Sequence, residues 1–245
     1  MSGDGRMSSC QRNGLTFDVT DAGPADGAPV VLLHGFPTDR TSWRHVEPLL
    51  HGAGLRTYAP DQRGYSPGAR PGGRTAYRME QLVADVLALV DTAGHERVHV
   101  VGHDWGAAVA WLLAANHPDR VASLTALSTP HPRAMTQALR GRQALRSWYM
   151  AAFQVPYLPE ALLGSRLRDA LRGSGLPAED LERYAARLGS RAALAGPINW
   201  YRAMPLSRIR ARRVTAPTTY VWGSGDFALG RRAAELTADY VRGPY

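Results

Sequence analysis

The chain has 245 residues, 44% apolar and 20% charged, enough for one large domain with an insertion, and its longest apolar run, residues 107–115, is far too short to span a bilayer. The single cysteine, Cys10, excludes internal disulfides and cysteine-based metal sites, and the polar N-terminus lacks a signal-peptide core, so the cytosol is the expected compartment. Arginine carries all of the positive charge behind the net +8, since lysine is absent, and the cluster Arg208, Arg210, Arg212 and Arg213 reads as a solvated face because no nucleic-acid motif accompanies it.

Residues 1–14 read as a flexible tail that includes Cys10. PVVLLHG (29–35) is a continuous apolar run ending in a turn, the pattern of a strand buried on both faces. WRHVEPLLHGAG predicts a short helix stopped by glycine, and LRTYAPDQRGYSPGARPGG a strand running into a Gly/Pro loop. RMEQLVADVLALVDTAG carries a helical stripe at Met79, Leu82, Val83, Val86, Leu87 and Val90. RVHVVGHD, WGAAVAWLLAANHPDR and VASLTALSTP continue as strand, helix and strand. That alternation predicts an α/β fold with a mostly parallel sheet and helices on both faces.

Residues 132–206 are then helical and aromatic without a strand, after which TAPTTYVWGSGD resumes the sheet. The expected organisation is a core over 15–131, an inserted helical cap over 132–206, and the rest of the core over 207–245. A cap inserted between two strands sits over the strand ends, where open α/β sheets place their ligand crevice.

Gly102-His103-Asp104-Trp105-Gly106 follows a predicted strand and opens a predicted helix, the setting of a nucleophile elbow, but with aspartate where serine is usual. A carboxylate attacking an acyl group would give a labile anhydride; attacking an sp³ carbon, it gives an alkyl ester. Water can hydrolyse that ester through an oxyanion, which two backbone N–H groups should stabilise. Trp105 and Phe36, the latter in HGFP (34–37), are the candidates. The competing role for Asp104 is to cap the helix that follows.

These segments together resemble the α/β-hydrolase superfamily, specifically the epoxide hydrolases, over residues 15–245. HGFP, DQRGYS (61–66), GHDWG and WGSGD (222–226) occur in family order. The resemblance implies an α/β-hydrolase fold and the opening of an epoxide to a vicinal diol. It implies no metal or organic cofactor, while the missing nucleic-acid motif and the short apolar runs argue against nucleic-acid or membrane partners, and the aromatic cap suggests a small apolar substrate. It places paired cap tyrosines at Tyr149, in SWYMAAFQVPYLPE, and Tyr201, in INWYRAMP, as donors to the epoxide oxygen; Tyr157 is read as structural. It also makes Asp226 the acid that orients a histidine base, in competition with a loop-capping role near Gly230. Phe36, Trp105 and Trp200 are expected to line the substrate pocket.

The base should stand about 25–30 residues beyond the acid, in the order nucleophile, acid, histidine. Only 19 residues follow Asp226, and all eight histidines (His34, His45, His51, His95, His99, His103, His117 and His131) precede the cap. None matches; His34 is expected to order its turn, and His103 to point away from its neighbour's side chain. The pattern reads as a truncated form of a longer enzyme, with a naturally shortened or repurposed homologue as the alternative. Two further readings are a haloalkane dehalogenase, in which Trp105 would bind the halide, and a non-catalytic binding protein on a hydrolase scaffold. Against the first, halide release needs no proton donor and so gives paired tyrosines nothing to do.

Overall fold

A computed structural model describes residues 5–164, 166–173 and 175–245. Strands β1 (Ser9–Arg12), β2 (Leu15–Ala22), β3 (Ala28–Leu33), β4 (Leu55–Pro60), β5 (Val98–His103), β6 (Val121–Leu127) and β7 (Thr218–Val221) form one sheet. Its order is β1-β2-β4-β3-β5-β6-β7. β2 pairs antiparallel with β1 and β4, and every later pairing is parallel. The predicted parallel core is therefore present.

Strand β3 shows why its sequence is apolar throughout. Val31 and Leu33 pack into the larger core, Val30 and Leu32 into a second cluster with Trp43 and Ala59 on the opposite face. Successive strand residues point to opposite sides, so a strand covered on both has no polar position. Each of these side chains contributes roughly 1.5–3 kcal/mol by burial. Helix α1 (Glu47–Gly52) packs against β4 on the side of the smaller cluster, while α2 (Met79–Thr92) and α3 (Trp105–Asn116) cover the larger one. Met79, Leu82, Val83, Val86 and Val90 of the predicted α2 stripe are buried, with Leu89 beside them and Leu87 only partly covered.

The expected flexible tail is corrected. Residues 1–4 lie outside the described residues, but residues 9–12 form β1, register-locked to β2 through Cys10 opposite Phe17. Asn13 and Gly14, both at positive φ (50° and 74°), close a two-residue hairpin between them. Cys10 is buried rather than loose, and burial, reinforced by the nearby Asp85 carboxylate, pushes its thiol up to about 12. Edge pairing to β2, with a single inward side chain, supplies the order that a polar sequence conceals.

Between β6 and β7 the chain is helical: α4 (Pro132–Ala138), α5 (Gln143–Arg146), α6 (Trp148–Ala152), α7 (Leu158–Gly164), α8 (Leu167–Leu171), α9 (Ala178–Leu188) and α10 (Arg191–Ala203). α4 packs on α11 (Arg231–Glu235) and forms a stem; the later helices rise over the strand ends. Helices α9 and α10 are fastened to the core. Arg187 reaches Asp61 and Asp39, and Arg44 of the core grips Asp180. The Trp200 indole donates to the Arg63 carbonyl at 2.8 Å. Gly64 and Gly196 meet backbone to backbone, and a Cβ added to Gly196 would lie 2.5 Å from the Gly64 Cα. Among the described residues no helix is long and apolar enough to cross a membrane.

Candidate active site

The turn from β5 to α3 holds Asp104 at φ 51°, ψ −119°, a conformation that costs a side-chain-bearing residue roughly 1–3 kcal/mol. The surrounding glycines make it sterically feasible. A Cβ on Gly106 would lie 2.1 Å from the Leu33 carbonyl oxygen, and one on Gly102 2.5 Å from that of Gly106. Gly35 is pressed against the aspartate itself, its missing Cβ 2.4 Å from that of Asp104. Only a bare backbone lets strand, helix and the loop after β3 converge on one carboxylate.

The two expected amides meet that carboxylate. Phe36 N–H donates to Asp104 Oδ2 at 2.9 Å, and the Trp105 N–H lies close enough to the carboxyl to favour its charged form. The competing capping role is absent: the Asp104 side chain makes no cap hydrogen bond to α3. Burial raises its pKa and the like charge of Asp226 adds to this, against the His103 side chain and the two amides. His34 orders the loop, as expected. Its Nδ1 lies 3.0 Å from the Gly35 carbonyl, while Nε2 accepts from the Gln62 N–H at 3.2 Å.

Facing this elbow are the cap aromatics. Tyr149 of α6 and Tyr201 of α10 have ring centres 6.2 Å apart, and both pack on Phe153. Tyr201 also meets Phe36 at 5.9 Å and Trp105 at 4.8 Å. Burial, with the Asp104 charge second, pushes the Tyr149 phenol up to about 12 and Tyr201 well above the ordinary phenol range. Both phenols therefore keep their protons at neutral pH and can donate them.

Trp200 is corrected from pocket wall to packing residue. It is buried behind Trp105 and Tyr65, its N–H already committed to Arg63. Helical spacing accounts for this: adjacent residues point about 100° apart, so α10 aims Tyr201 at the elbow and Trp200 at the core loop. Tyr157 is exposed on the cap surface, away from the cluster.

Asp226 lies within electrostatic reach of Asp104 and Tyr149. Its Oδ1 accepts from the Ala228 and Leu229 amides, both at 2.9 Å, so it braces its own loop but does not cap α11, whose N-cap Gly230 receives no side-chain bond. Oδ2 accepts from Ser128 Oγ at 2.8 Å. Among the described residues no histidine hydrogen-bonds this carboxylate. His103 is exposed, and His131 is buried beneath Tyr240 with its ring bonded to the Arg212 carbonyl. The structure thus brings Asp104, Phe36, Trp105, Tyr149 and Tyr201 together, sets Asp226 at their edge, and places Trp200 behind them. Sequence reasoning missed Ser128, which stands in no motif, and Arg202, whose fork of contacts only the folded cap reveals.

Residues 28–240 match the family described as the alpha/beta hydrolase fold. The chain is 38% identical to the AB hydrolase superfamily protein YfhM of Bacillus subtilis, over 92% of this chain and 83% of that one. It is 35% identical to epoxide hydrolase A of Mycobacterium tuberculosis, over 95% of this chain and 86% of the relative. Among solved structures it resembles epoxide hydrolase A from Mycobacterium thermoresistibile, with 33% identity, TM-score 0.85, and 97% and 88% of the two chains covered. It also resembles a mutant epoxide hydrolase from Bacillus megaterium in complex with its naphthyloxy-propanediol product, with 26% identity, TM-score 0.87, and 97% and 89% covered. The family match over residues 28–240, with relatives 35–38% identical across most of both chains and solved structures of the same fold, means that the chain belongs to the α/β-hydrolase family as an epoxide hydrolase-like enzyme.

Proposed function

We propose that the chain opens an apolar, aryl-bearing epoxide through an alkyl ester on Asp104. The observation that carries this reading is the pose of the carboxylate. Asp104 Oδ2 rests on the Phe36 amide, which leaves Oδ1 for attack, and two protonated phenols stand opposite. Oδ1 bonds to an epoxide carbon and the ring C–O bond breaks. The electron pair left on the ring oxygen takes a proton from one tyrosine while the other donates a hydrogen bond. Phenol donation lowers the barrier because charge develops on that oxygen only in the transition state.

In the second half-reaction, water attacks the ester carbonyl of Asp104. The oxyanion that forms is Oδ2, already on the Phe36 amide. A base held by Asp226 would activate the water, and these 245 residues carry no histidine beyond His131. A polypeptide of this sequence should therefore form the ester faster than it releases diol. The aryl preference rests on the edge-on walls of Phe36, Phe153, Tyr149 and Tyr201, and on the naphthyl-bearing product of the Bacillus megaterium relative. The dehalogenase reading is disfavoured because halide release needs no proton donor, whereas two protonated phenols stand opposite Asp104.

The test is intact mass after incubation with styrene oxide, with Asp104→Asn as control. An adduct of one substrate mass on the wild-type chain alone is expected. No adduct and no diol from a folded protein would overturn the reading.

A further inference from the structure

The two phenols stand on different helices, and one arginine side chain joins those helices. Arg202, the residue after Tyr201, donates from Nε to the Phe153 carbonyl at 3.0 Å and from Nη2 to the Val155 carbonyl at 2.7 Å. Its fork also grips Glu160, through Nη2 to Oε2 at 3.0 Å and through Nη1 to Oε1. Phe153 follows α6 directly, and its N–H closes onto the Tyr149 carbonyl at 2.9 Å. The captured carbonyl is thus one helical turn from Tyr149. A return contact runs from Gln154 Nε2 to the Tyr201 carbonyl at 2.8 Å.

We propose that Arg202, held in place by Glu160, is a positioning residue that fixes the distance between the Tyr149 and Tyr201 phenols. This rests on the epoxide-opening reading above. Both charged side chains are largely withdrawn from water, at 11% and 7% exposure, where an ion pair costs desolvation energy that its attraction only partly offsets. What the pair supplies is geometry. A planar fork can hold two carbonyls and a carboxylate at once, whereas a lysine ammonium acts as a single point donor. Loosening the fork lets α6 drift from α10, so one phenol still reaches the epoxide oxygen and the other does not.

The reaction itself offers a discriminating probe. Epoxide opening needs phenol donors at the departing oxygen. An alkyl iodide that reaches the same carboxylate would form an ester on it by expelling iodide, which leaves as the anion and takes no proton. The Arg202→Lys and Glu160→Gln chains should be compared with wild type for Asp104 ester formation, from styrene oxide and from 1-iodopropane, by peptide mass mapping. A misplacement of about 1 Å can cost on the order of 100-fold. Arg202→Lys is therefore expected to slow the epoxide reaction about 100-fold while leaving the iodide reaction within about threefold, with Glu160→Gln between the two. Equal slowing of both electrophiles, or of neither, would overturn the proposal.

A wild-type chain that forms no ester from the epoxide would defeat the functional reading instead. The clamp would then be judged by absorbance titration of the tyrosines to about pH 11, where an ordinary phenol is mostly ionised. Arg202→Lys should ionise about one more tyrosine there than wild type, as water reaches Tyr149; an unchanged titration overturns the clamp.

Discussion

Gly196→Ala sets two effects of opposite sign against each other. Gly196 lies inside α10, where alanine is the better helix former by about 1 kcal/mol. The added Cβ, however, would stand 2.5 Å from the Gly64 Cα and 2.7 Å from its carbonyl oxygen. Carbon atoms in contact prefer at least about 3.5 Å, so α10 must retreat by about 1 Å from a backbone that has no side chain to swing aside. Overpacking of this kind costs about 1–3 kcal/mol, and the retreat also stretches the 2.8 Å bond from Trp200 to Arg63. The steric term wins. We expect a net loss of about 1–2 kcal/mol, seen as a fall in Tm of roughly 2–8 °C. Because Tyr201 rides on the same helix, Asp104 ester formation from styrene oxide should slow by about 100-fold. Thermal unfolding and intact-mass time courses measure the two. A Tm that rises, with an unchanged alkylation rate, would refute the close-contact reasoning.

Three further outcomes follow from buried titratable groups. Asp104→Asn should stabilise the fold at pH 7 by on the order of 1 kcal/mol, as removal of strained active-site groups commonly does. The folded-state pKa of Asp104 is raised by burial, so its ionised form opposes folding above that pKa, and the advantage of the variant should shrink on acidification; equal stability at pH 7 would contradict this. Cys10, buried with its thiol pushed up to about 12, should resist iodoacetamide in the native chain and react once the chain unfolds, whereas rapid native labelling would mean that β1 is not docked. His131 is held neutral by burial, its pKa lowered from 6.5 to about 4. Between those values the unfolded chain binds more protons, so stability should fall by up to about 3 kcal/mol as pH drops through that window. An NMR titration of His131 near pH 6.5 would show this wrong.

The elbow was legible because its chemistry is local. Asp104, Trp105 and the spacing glycines sit within five residues, and HGFP supplies the second amide from one strand away. The parallel sheet was legible for the same reason, since β3 has to be apolar on both faces. Strand β1 was not, although the Asn13-Gly14 pair that forms its hairpin is a strong turn signal; SCQR offers one inward residue and no visible alternation. Trp200 was misassigned because an aromatic next to a candidate catalytic tyrosine carries no mark of its direction. Only the docking of α10 shows that its indole faces Arg63. The Arg202 fork was hidden for a related reason: its acceptors are backbone carbonyls, which every sequence has.

The seam between α9 and the core is keyed like a ratchet. Each side contributes an arginine to the other's carboxylate, Arg44 to Asp180 in one direction and Arg187 to Asp61 in the other. Sliding α9 by one turn would set Arg44 against either Arg183 or Pro177, with repulsion in one case and a stranded charge in the other. Shear along this helix is therefore blocked at every step.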